Sequence, residues 1–352
     1  MDRQQGTSDR SRTQDMSTQT QERPTDAAET LLSVRDLSTY YSEDETDVPV
    51  RAVDGVDFEI ARGETYGLVG ESGCGKSTLG LSLIRALPPQ GDIVEGEIRF
   101  EGREIGQIPK SEVKDVQWAD ISMIYQGAQN AFNPVKTVGA QIREPLRVHD
   151  IVPEEEREGR VRELLEKVNL QPDVAEQYPH ELSGGMKQRA AIAMAIACEP
   201  DLLIADEPTT ALDVIVQAEV LNMLQRLQED LNFGMLVISH NLAAIMKLSD
   251  RIGVMYGGKI VESAPAETLY DAPKHPYTAL LLRSLIDPRR PPEQVETIEG
   301  TPPDLRDPPT GCRFAERCAL ATQECRDGEP PLESVGEAHE TACFHHEEVS
   351  EL

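Results

Sequence analysis

The chain of 352 residues has few aromatic side chains, few basic side chains relative to acidic ones, and no long apolar run. Aromatic residues make up 4% of it, and 63 Asp and Glu outnumber 34 Lys and Arg, which gives a net charge of -29. Such an excess of negative charge repels phosphate backbones and anionic lipids, and therefore argues against a nucleic-acid-binding protein. Since salt screening relieves the self-repulsion of so much charge, we expect a halophilic protein in a salt-rich cytoplasm.

The longest apolar run covers only residues 190–198, well short of the about 18 residues that a membrane-spanning helix needs. The sequence therefore predicts no transmembrane segment. Residues 1–29 are rich in Gln, Thr, Ser, Asp and Arg and lack the apolar centre of a secretory signal, so we expect the protein to stay in the cytoplasm. A tail with so few apolar side chains has little to bury, and residues 1–30 are predicted to be disordered.

The clearest pattern is a phosphate-binding loop (P-loop) at residues 70–78, which read Gly-Glu-Ser-Gly-Cys-Gly-Lys-Ser-Thr. A strand pattern at residues 66–69 precedes it and a helical pattern at residues 79–87 follows it, as a P-loop requires. Glycines let the backbone turn its N–H groups towards an anion, and the following helix adds the positive end of its dipole. Lys76 would then reach the outer phosphates while Ser77 binds Mg²⁺; a chance glycine-rich turn is the alternative. The predicted nucleotide contacts of this loop are Gly70, Ser72, Gly73, Cys74, Gly75, Lys76, Ser77 and Thr78.

Two further apolar runs end in residues that suit phosphate chemistry. Residues 202–205 lead directly into Asp206 and Glu207, while residues 235–239 end at His240. Buried parallel strands have such continuous apolar sequences, and their carboxyl ends meet at one edge of a sheet, where ligands bind. The pattern therefore predicts an α/β fold in which these side chains approach the P-loop. A solvated acidic turn is the alternative for the two carboxylates, and a structural histidine for His240.

Patterns around these strands predict the rest of the fold. Alternating apolar residues at 31–37 and 50–60 predict an antiparallel sheet beside the nucleotide. Tyr41 follows the first of these runs and is either a platform for a purine ring or an edge-strand aromatic. Residues 138–170 have helical periodicity and predict a helical insertion, and a Ser-Gly-Gly turn at residues 183–185 opens the next helix.

These stretches together resemble the ATP-binding subunit of ABC transporters over residues 31–264. The most specific match is at residues 182–189, which read Leu-Ser-Gly-Gly-Met-Lys-Gln-Arg and are similar to the signature sequence of this superfamily. The remaining matches are Gln126 with the Q-loop, Asp206 and Glu207 with the second nucleotide motif, residues 211–213 with the D-loop, and His240 with the switch histidine.

The resemblance implies an α/β fold with a P-loop NTPase core and an antiparallel β subdomain. It further implies a helical ABC subdomain, inserted at about residues 127–190, and a small Pro/Cys-rich C-terminal extension. A chain of this length suggests two domains, and we expect the cassette over residues 31–264 and the extension over residues 265–352.

The resemblance also implies ATP hydrolysis, with a role for each matched residue. In-line attack of water on the γ-phosphate needs charge neutralisation and a placed nucleophile. Ser77, Gln126 and Asp206 would hold Mg²⁺, and Glu207 would activate the water as a base. His240 would position the γ-phosphate, which Gln126 would sense. Since two such cassettes face head to tail in this family, the residues expected at the nucleotide of the partner are Ser183, Gly184, Gly185 and Asp213.

Proline is frequent beyond residue 264, which breaks any long element. Residues 275–281 and 311–318 resemble the C-terminal extension of the dipeptide/oligopeptide branch of ABC ATPases. Four of the six cysteines lie in this extension, and in a cytosolic protein such crowding indicates a metal rather than disulfides. By resemblance to peptide-transporter subunits they would bind a [4Fe-4S] cluster, with zinc and free thiols as alternatives. These cysteines are Cys312, Cys318, Cys325 and Cys343.

The resemblance implies the ATP-hydrolysing subunit of a peptide importer at the cytoplasmic face of the cell membrane. Its partners would be a second ABC ATPase subunit, identical or paralogous, two transmembrane permease subunits and an extracellular solute-binding protein, and not a nucleic acid. Oligosaccharides or nickel are alternative cargoes, since relatives with the same extension carry them, and a soluble ABC ATPase without a transport role is a further alternative. One departure concerns coupling, because Gly127 and Ala128 stand where this branch has an acidic residue and Pro after Gln126.

Overall fold

The computed structural model describes residues 29–42, 48–128, 131–284 and 298–352. The tail predicted to be disordered lies outside these residues except for its last two. The first half of the chain forms β1 (Thr30–Tyr41), β2 (Val50–Ala61), β3 (Thr65–Val69), α1 (Lys76–Leu83), β4 (Gly91–Phe100), β5 (Arg103–Glu104), α2 (Val113–Val116), β6 (Ile121–Ile124), α3 (Val138–Val148) and α4 (Arg157–Lys167). The second half forms α5 (Gly184–Ala195), β7 (Leu202–Asp206), α6 (Val214–Leu231), β8 (Gly234–Ile238), α7 (Leu242–Leu248), β9 (Arg251–Tyr256), β10 (Lys259–Pro265), α8 (Ala266–Asp271), α9 (Pro276–Arg283), α10 (Gln323–Asp327), β11 (Glu333–Gly336) and β12 (His339–Thr341).

Eight strands form the main sheet, in the order β11-β12-β10-β9-β3-β8-β7-β6. Strands β6, β7, β8, β3 and β9 run parallel to one another, and every residue of β3, β7 and β8 is buried. Strands covered on both faces need continuous apolar sequences, which is why the runs at residues 66–69, 202–205 and 235–239 predicted them correctly. Because β3, β8 and β7 are neighbours, the residues that follow them reach the same edge of the sheet.

Four strands form a second, antiparallel sheet in the order β2-β1-β4-β5, which confirms the predicted antiparallel subdomain. Its apolar face packs on β3 and α1, where Val34 and Phe58 share a buried core with Tyr66 and Leu79. The rings of Phe58 and Tyr66 lie 5.3 Å apart between centroids. The end of β1 and the start of β2 are thereby held beside the loop that follows β3.

The helices predicted within residues 138–170 are present as α3 and α4, which pack on each other and on α5. The residues that gave the helical period, Val161, Leu164, Leu165 and Val168, are all fully buried. The helical segment is interrupted between α3 and α4, where Asp150 adopts a positive φ of 51°.

Helix α1 begins at Lys76 and ends at Leu83, so it starts and stops earlier than the pattern at residues 79–87 predicts. Arg85 has a φ of 57°, which a continuing right-handed helix does not allow. Pro88 follows three residues later and could not donate a helical hydrogen bond.

The C-terminal extension continues the main sheet rather than lying beside it. Strand β12 pairs antiparallel with β10, and β11 pairs with β12. The rings of Tyr256, Tyr277 and Phe314 form one cluster with centroids 4.6 to 5.4 Å apart, and all three are buried in the core shared with the parallel strands. Among the described residues, no helix is long and apolar enough to cross a bilayer.

Candidate nucleotide-binding site

Residues 70–78 form a tight loop between β3 and α1, as the P-loop pattern predicts. Gly70 and Gly75 have φ angles of 155° and 109°. A Cβ atom would lie 2.1 Å from the carbonyl oxygen of Met255 at the first position and 1.9 Å from that of Ala52 at the second. Only glycine fits at such distances, so the backbones of β9 and β2 pack directly against the backbone of the loop.

The side chain of Lys76 is folded back over this loop. Its Nζ donates to the carbonyl oxygens of Gly70 and Glu71 at 2.8 and 2.9 Å, and it is 7% exposed. The thiol of Cys74, a buried residue of the same loop, lies 3.6 Å from this Nζ. Burial raises the pKa of the Cys74 thiol, so this sulfur is neutral and does not compete for the lysine charge.

Asp206 ends β7 and is 3% exposed. Its Oδ1 is buried and has no hydrogen-bond partner in the described part of the chain. Burial raises the pKa of this carboxyl, while a hydrogen bond from Ser77 and the charge of Lys76 act in the opposite direction. A buried carboxylate oxygen that lacks a partner, next to a serine hydroxyl, is a pair of hard oxygen ligands of the kind Mg²⁺ prefers.

Glu207 and His240 form a direct contact across the ends of β7 and β8. The Nδ1 atom of His240 lies 2.7 and 2.8 Å from the two carboxylate oxygens of Glu207, and the hydroxyl of Thr210 donates to Oε2 at 2.6 Å. Burial raises the pKa of the Glu207 carboxyl, but the hydrogen bonds from Thr210 and His240 outweigh it and hold the pKa below its usual value. Glu207 is therefore ionised at neutral pH and can accept a proton.

Glu207 also has a φ of 50°, a left-handed conformation that costs a non-glycine residue about 1 kcal/mol or more. Its N–H donates to the carbonyl oxygen of Ile238 at 2.8 Å, which fixes the residue across to β8. Strained backbone held by its surroundings is typical of functional positions.

Most of the predicted residues line one pocket at this edge of the sheet. Tyr41 reaches it from the end of β1, and its hydroxyl lies 3.3 Å from that of Thr78. Gly70, Cys74 and Asp206 are buried and lie outside its lining. The predicted residues that line the pocket are Tyr41, Ser72, Gly73, Gly75, Lys76, Ser77, Thr78, Gln126, Glu207 and His240.

Four predicted residues lie elsewhere in this chain, namely Ser183, Gly184, Gly185 and Asp213. Ser183 caps α5 by accepting from the N–H of Met186 at 3.3 Å, and Asp213 caps α6 by accepting from the N–H of Val216 at 3.0 Å. Ser183 and Gly184 are exposed at the start of α5. Both helix N-termini can therefore meet a second molecule, but they do not contribute to the pocket of their own chain.

The pocket contains four residues that sequence reasoning missed. Thr210, Val50 and Ala52 lie within or beside recognised patterns, but Leu305 comes from the C-terminal extension. Its carbonyl oxygen accepts from the N–H of Arg51 at 2.9 Å, which places the leucine beside Tyr41 and Val50. No sequence signal marks Leu305, because it lies in an irregular segment without periodicity.

The four cysteines of the extension line one narrow cavity, together with His275 and His345. None of them forms a disulfide. Burial raises the pKa of Cys312 to about 11 and that of Cys343 to about 12, and it also raises the pKa of Cys318. In the described part of the chain, no three His, Cys, Asp or Glu side chains come close enough to hold a metal ion. The predicted crowding of cysteines is thus present, whereas a preformed metal-ion site is not.

Comparison with known proteins identifies two family matches. A family model described as "ABC transporter" matches residues 53–210, and one described as "Oligopeptide/dipeptide transporter, C-terminal region" matches residues 261–325.

Curated relatives match almost the whole chain. A probable peptide ABC transporter ATP-binding protein of Sinorhizobium fredii is 42% identical over 92% of this chain and 98% of its own length. The oligopeptide transport ATP-binding protein AppF of Bacillus subtilis is 41% identical over 90% of this chain and 97% of its own. The dipeptide transport ATP-binding protein DppD of Escherichia coli is 39% identical over 90% and 96%.

A solved ATP-binding cassette, a dimer in a post-hydrolysis state bound to ADP and Pi, has a similar fold. It has a TM-score of 0.60 and 26% identity, and the match covers 67% of this chain and 98% of that one.

Proposed function

This chain belongs to the family of ABC transporter ATP-binding proteins, and from this premise we propose that it hydrolyses ATP to drive peptide import. The observation that carries the proposal is the single pocket that joins Lys76, Gln126, Glu207 and His240. It combines the phosphate-binding loop after β3 with the ionised carboxylate of Glu207 after β7, two strands away in the sheet. In-line transfer of a phosphoryl group to water needs this arrangement.

In the proposed mechanism the residues of the pocket bind, orient and accept a proton. The loop N–H groups and Nζ of Lys76 hold the phosphates. Ser77, Asp206 and Gln126 would hold Mg²⁺, which would neutralise charge on the phosphates. Tyr41 stacks on the adenine ring at the other end of the pocket.

Glu207 takes the proton of the attacking water. Its lowered pKa keeps it ionised, and its bonds to Thr210 and His240 leave it no freedom to rotate. His240 is 67% exposed at its side chain, so its second ring nitrogen remains accessible to the γ-phosphate.

We propose that two such cassettes, identical or paralogous, complete each other's sites. Ser183, Gly184, Gly185 and Asp213 would face the γ-phosphate held by the partner, with the start of α5 supplying backbone N–H groups. The next two residues after Asp213 support this, since Val214 and Ile215 are apolar and 80% and 74% exposed. Such a surface favours burial in an interface.

Peptide cargo is supported by the names of the relatives and by the match of the extension to the oligopeptide/dipeptide transporter region. We therefore propose that the chain works at the cytoplasmic face of the membrane on two permease subunits, with an extracellular solute-binding protein that delivers the peptide. No observation favours oligosaccharides, nickel or a non-transport role.

The test is peptide uptake into liposomes that contain the cognate permease. Uptake that depends on ATP and on this chain supports the proposal, whereas ATP hydrolysis without peptide uptake contradicts it.

We also propose the domain division into a cassette over residues 31–264, with its helical insertion at about 127–190, and an extension over residues 265–352. The division is supported by the two separate family matches. The extension is anchored by Glu262 of β10, whose buried carboxylate accepts from the N–H groups of Lys274 and His275 and lies 2.8 Å from His339.

We propose a [4Fe-4S] cluster at the four cysteines of the extension, which could supply the four thiolates that such a cluster needs. The proposal is supported by the one cavity that all four cysteines line. The described residues contain no preformed group of three such side chains close enough to hold a metal ion, so zinc and free thiols are the competing outcomes of its test.

The net charge of -29 supports adaptation to high salt. Because screening reduces repulsion among like charges, we expect the melting temperature to rise when KCl is increased from dilute buffer to about 2 M. A midpoint that is highest in dilute buffer would contradict this proposal.

A further inference from the structure

The second residue of the phosphate loop, Glu71, is held by a side chain of the C-terminal extension. Both Nη atoms of Arg317 donate to its carboxylate, Nη1 to Oε2 at 2.8 Å and Nη2 to Oε1 at 2.9 Å. This two-bond geometry fixes both the distance and the orientation of the carboxylate. The side chain of Arg317 is 5% exposed, so water screens the pair very little.

Arg317 is itself held rigidly. Its Nε donates to the carbonyl oxygen of Glu299 at 2.8 Å, and Nη2 donates to that of Ile298 at 3.3 Å. Nη1 also donates to the hydroxyl of Tyr256 at 3.1 Å, and the guanidinium lies 5.7 Å from the centroid of that ring. With partners on all three nitrogens, Arg317 is a fixed point to which Glu71 is attached.

Glu71 is contacted at its backbone as well. Its N–H donates to the hydroxyl of Tyr277, a fully buried residue of α9, at 2.9 Å. Its carbonyl oxygen accepts from Nζ of Lys76. The carboxylate and the N–H are thus set by residues beyond the cassette, while the carbonyl holds the lysine that binds phosphate. A shift of Glu71 must therefore move Lys76 or break its hydrogen bond.

We propose that Arg317 is a positioning residue for the phosphate loop, which it holds in the phosphate-binding conformation through Glu71. The extension then acts directly on nucleotide affinity. This inference rests on the proposed function, because the ligand of the loop is taken to be a magnesium nucleotide. A fixed loop binds more tightly because less conformational freedom is lost on binding.

The alternative is that Arg317 only docks the extension, and the chain offers a matched control for it. Arg313 lies four residues earlier, is equally buried at its side chain, and pairs with Asp54 of β2 and the carbonyl of Gly257. Among the described residues, the partners of Arg313 include no residue of the loop at 70–78. We therefore expect substitution of Arg313 to weaken docking of the extension and to leave the contacts of Glu71 in place.

The experiment is equilibrium binding of MgADP to the full-length chain, in the wild type and in Arg317→Gln, Glu71→Gln, the double variant and Arg313→Gln. Folding of each is checked by circular dichroism and by its thermal midpoint. We expect Arg317→Gln and Glu71→Gln each to raise Kd about tenfold, within the range for coupled sites. The double variant should be no weaker than either single variant, because both remove the same pair. Arg313→Gln should lower the midpoint and leave Kd within about twofold of the wild type, less than the expected coupling.

Three results would overturn the inference. These are an unchanged Kd in folded Arg317→Gln, an unchanged Kd in Glu71→Gln, or an equal loss of affinity in Arg313→Gln. If Arg317→Gln does not fold, Glu71→Gln decides alone, since Glu71 lies in a loop and is 24% exposed at its side chain. A wild type that binds no MgADP would instead refute the proposed function.

Discussion

Replacing Glu207 with Gln tests the chemistry of the pocket most closely. Glutamine has the same shape and keeps an oxygen that can accept from the hydroxyl of Thr210, which now donates to Oε2 at 2.6 Å. It also keeps the φ of 50° without added strain, because the two side chains branch alike. What it loses is the charge and the ability to take a proton from water.

The expected loss follows from the contribution of a general base, which is about 10²- to 10⁴-fold in rate. We therefore expect kcat for ATP hydrolysis to fall by at least about 100-fold. Binding of MgATP should remain within a few-fold of the wild type, because Lys76 and the loop that it crosses are unchanged. The removal of a negative charge that faces the phosphates favours MgATP binding.

The wild-type pH dependence gives a second check on the same group. The folded pKa of Glu207 lies below the ordinary value of 4.5, so this carboxyl is ionised throughout the neutral range. Its contribution to stability is present above the unfolded pKa and is lost as the pH falls through the lower folded pKa. The rate of wild-type hydrolysis should therefore show no titration of this group above about pH 5. The residual rate of Glu207→Gln should lack the fall at acid pH and otherwise follow the pH dependence of the wild type.

The assay is phosphate release by the chain assembled with its cognate subunits, with nucleotide binding measured on the same preparation. Glu229→Gln is a matched control, because Glu229 is an exposed carboxylate on α6 that lies outside the pocket. Unchanged turnover in Glu207→Gln would refute the assignment of the base. Loss of MgATP binding together with turnover would show that Glu207 acts on binding instead.

Two further predictions concern the metal-binding groups. Asp206→Asn removes the charge of the carboxylate whose buried Oδ1 has no partner and replaces one of its oxygens with an amide nitrogen, so MgADP affinity should approach ADP affinity in EDTA; a Mg²⁺ effect as large as in the wild type would contradict this. Cys343→Ser should lose the iron and the visible absorption of anaerobically purified protein, whereas Cys198→Ser, a buried position in the turn after α5, should keep both. Colourless wild-type protein that contains neither iron nor zinc would refute both the cluster and zinc as occupants of the four-cysteine site.

The core of the fold could be predicted from the sequence because its signals are local. The strand pattern at residues 66–69 and the glycines after it predict a phosphate-binding turn followed by a helix. The continuous apolar run at 202–205 predicts a strand that is buried on both faces. The order of the strands then brings Asp206 and His240 to the P-loop, an adjacency that the expected parallel topology predicts.

The contributions of the extension could not be predicted in this way. Strands β11 and β12 are too short and polar to show alternation, and they form only because β10 offers an unpaired edge. The pairing of Arg317 with Glu71 joins residues 246 positions apart, and no periodicity relates them. Leu305 reaches the pocket through a backbone hydrogen bond to Arg51, which any residue type could make.

The central claim is that the pocket at the P-loop binds a magnesium nucleotide, and calorimetric titration of the purified full-length chain with MgADP tests it most directly. We predict one nucleotide bound per chain, with weaker binding when Mg²⁺ is removed. Absence of binding by a folded chain, both alone and assembled with its cognate subunits, would contradict the account.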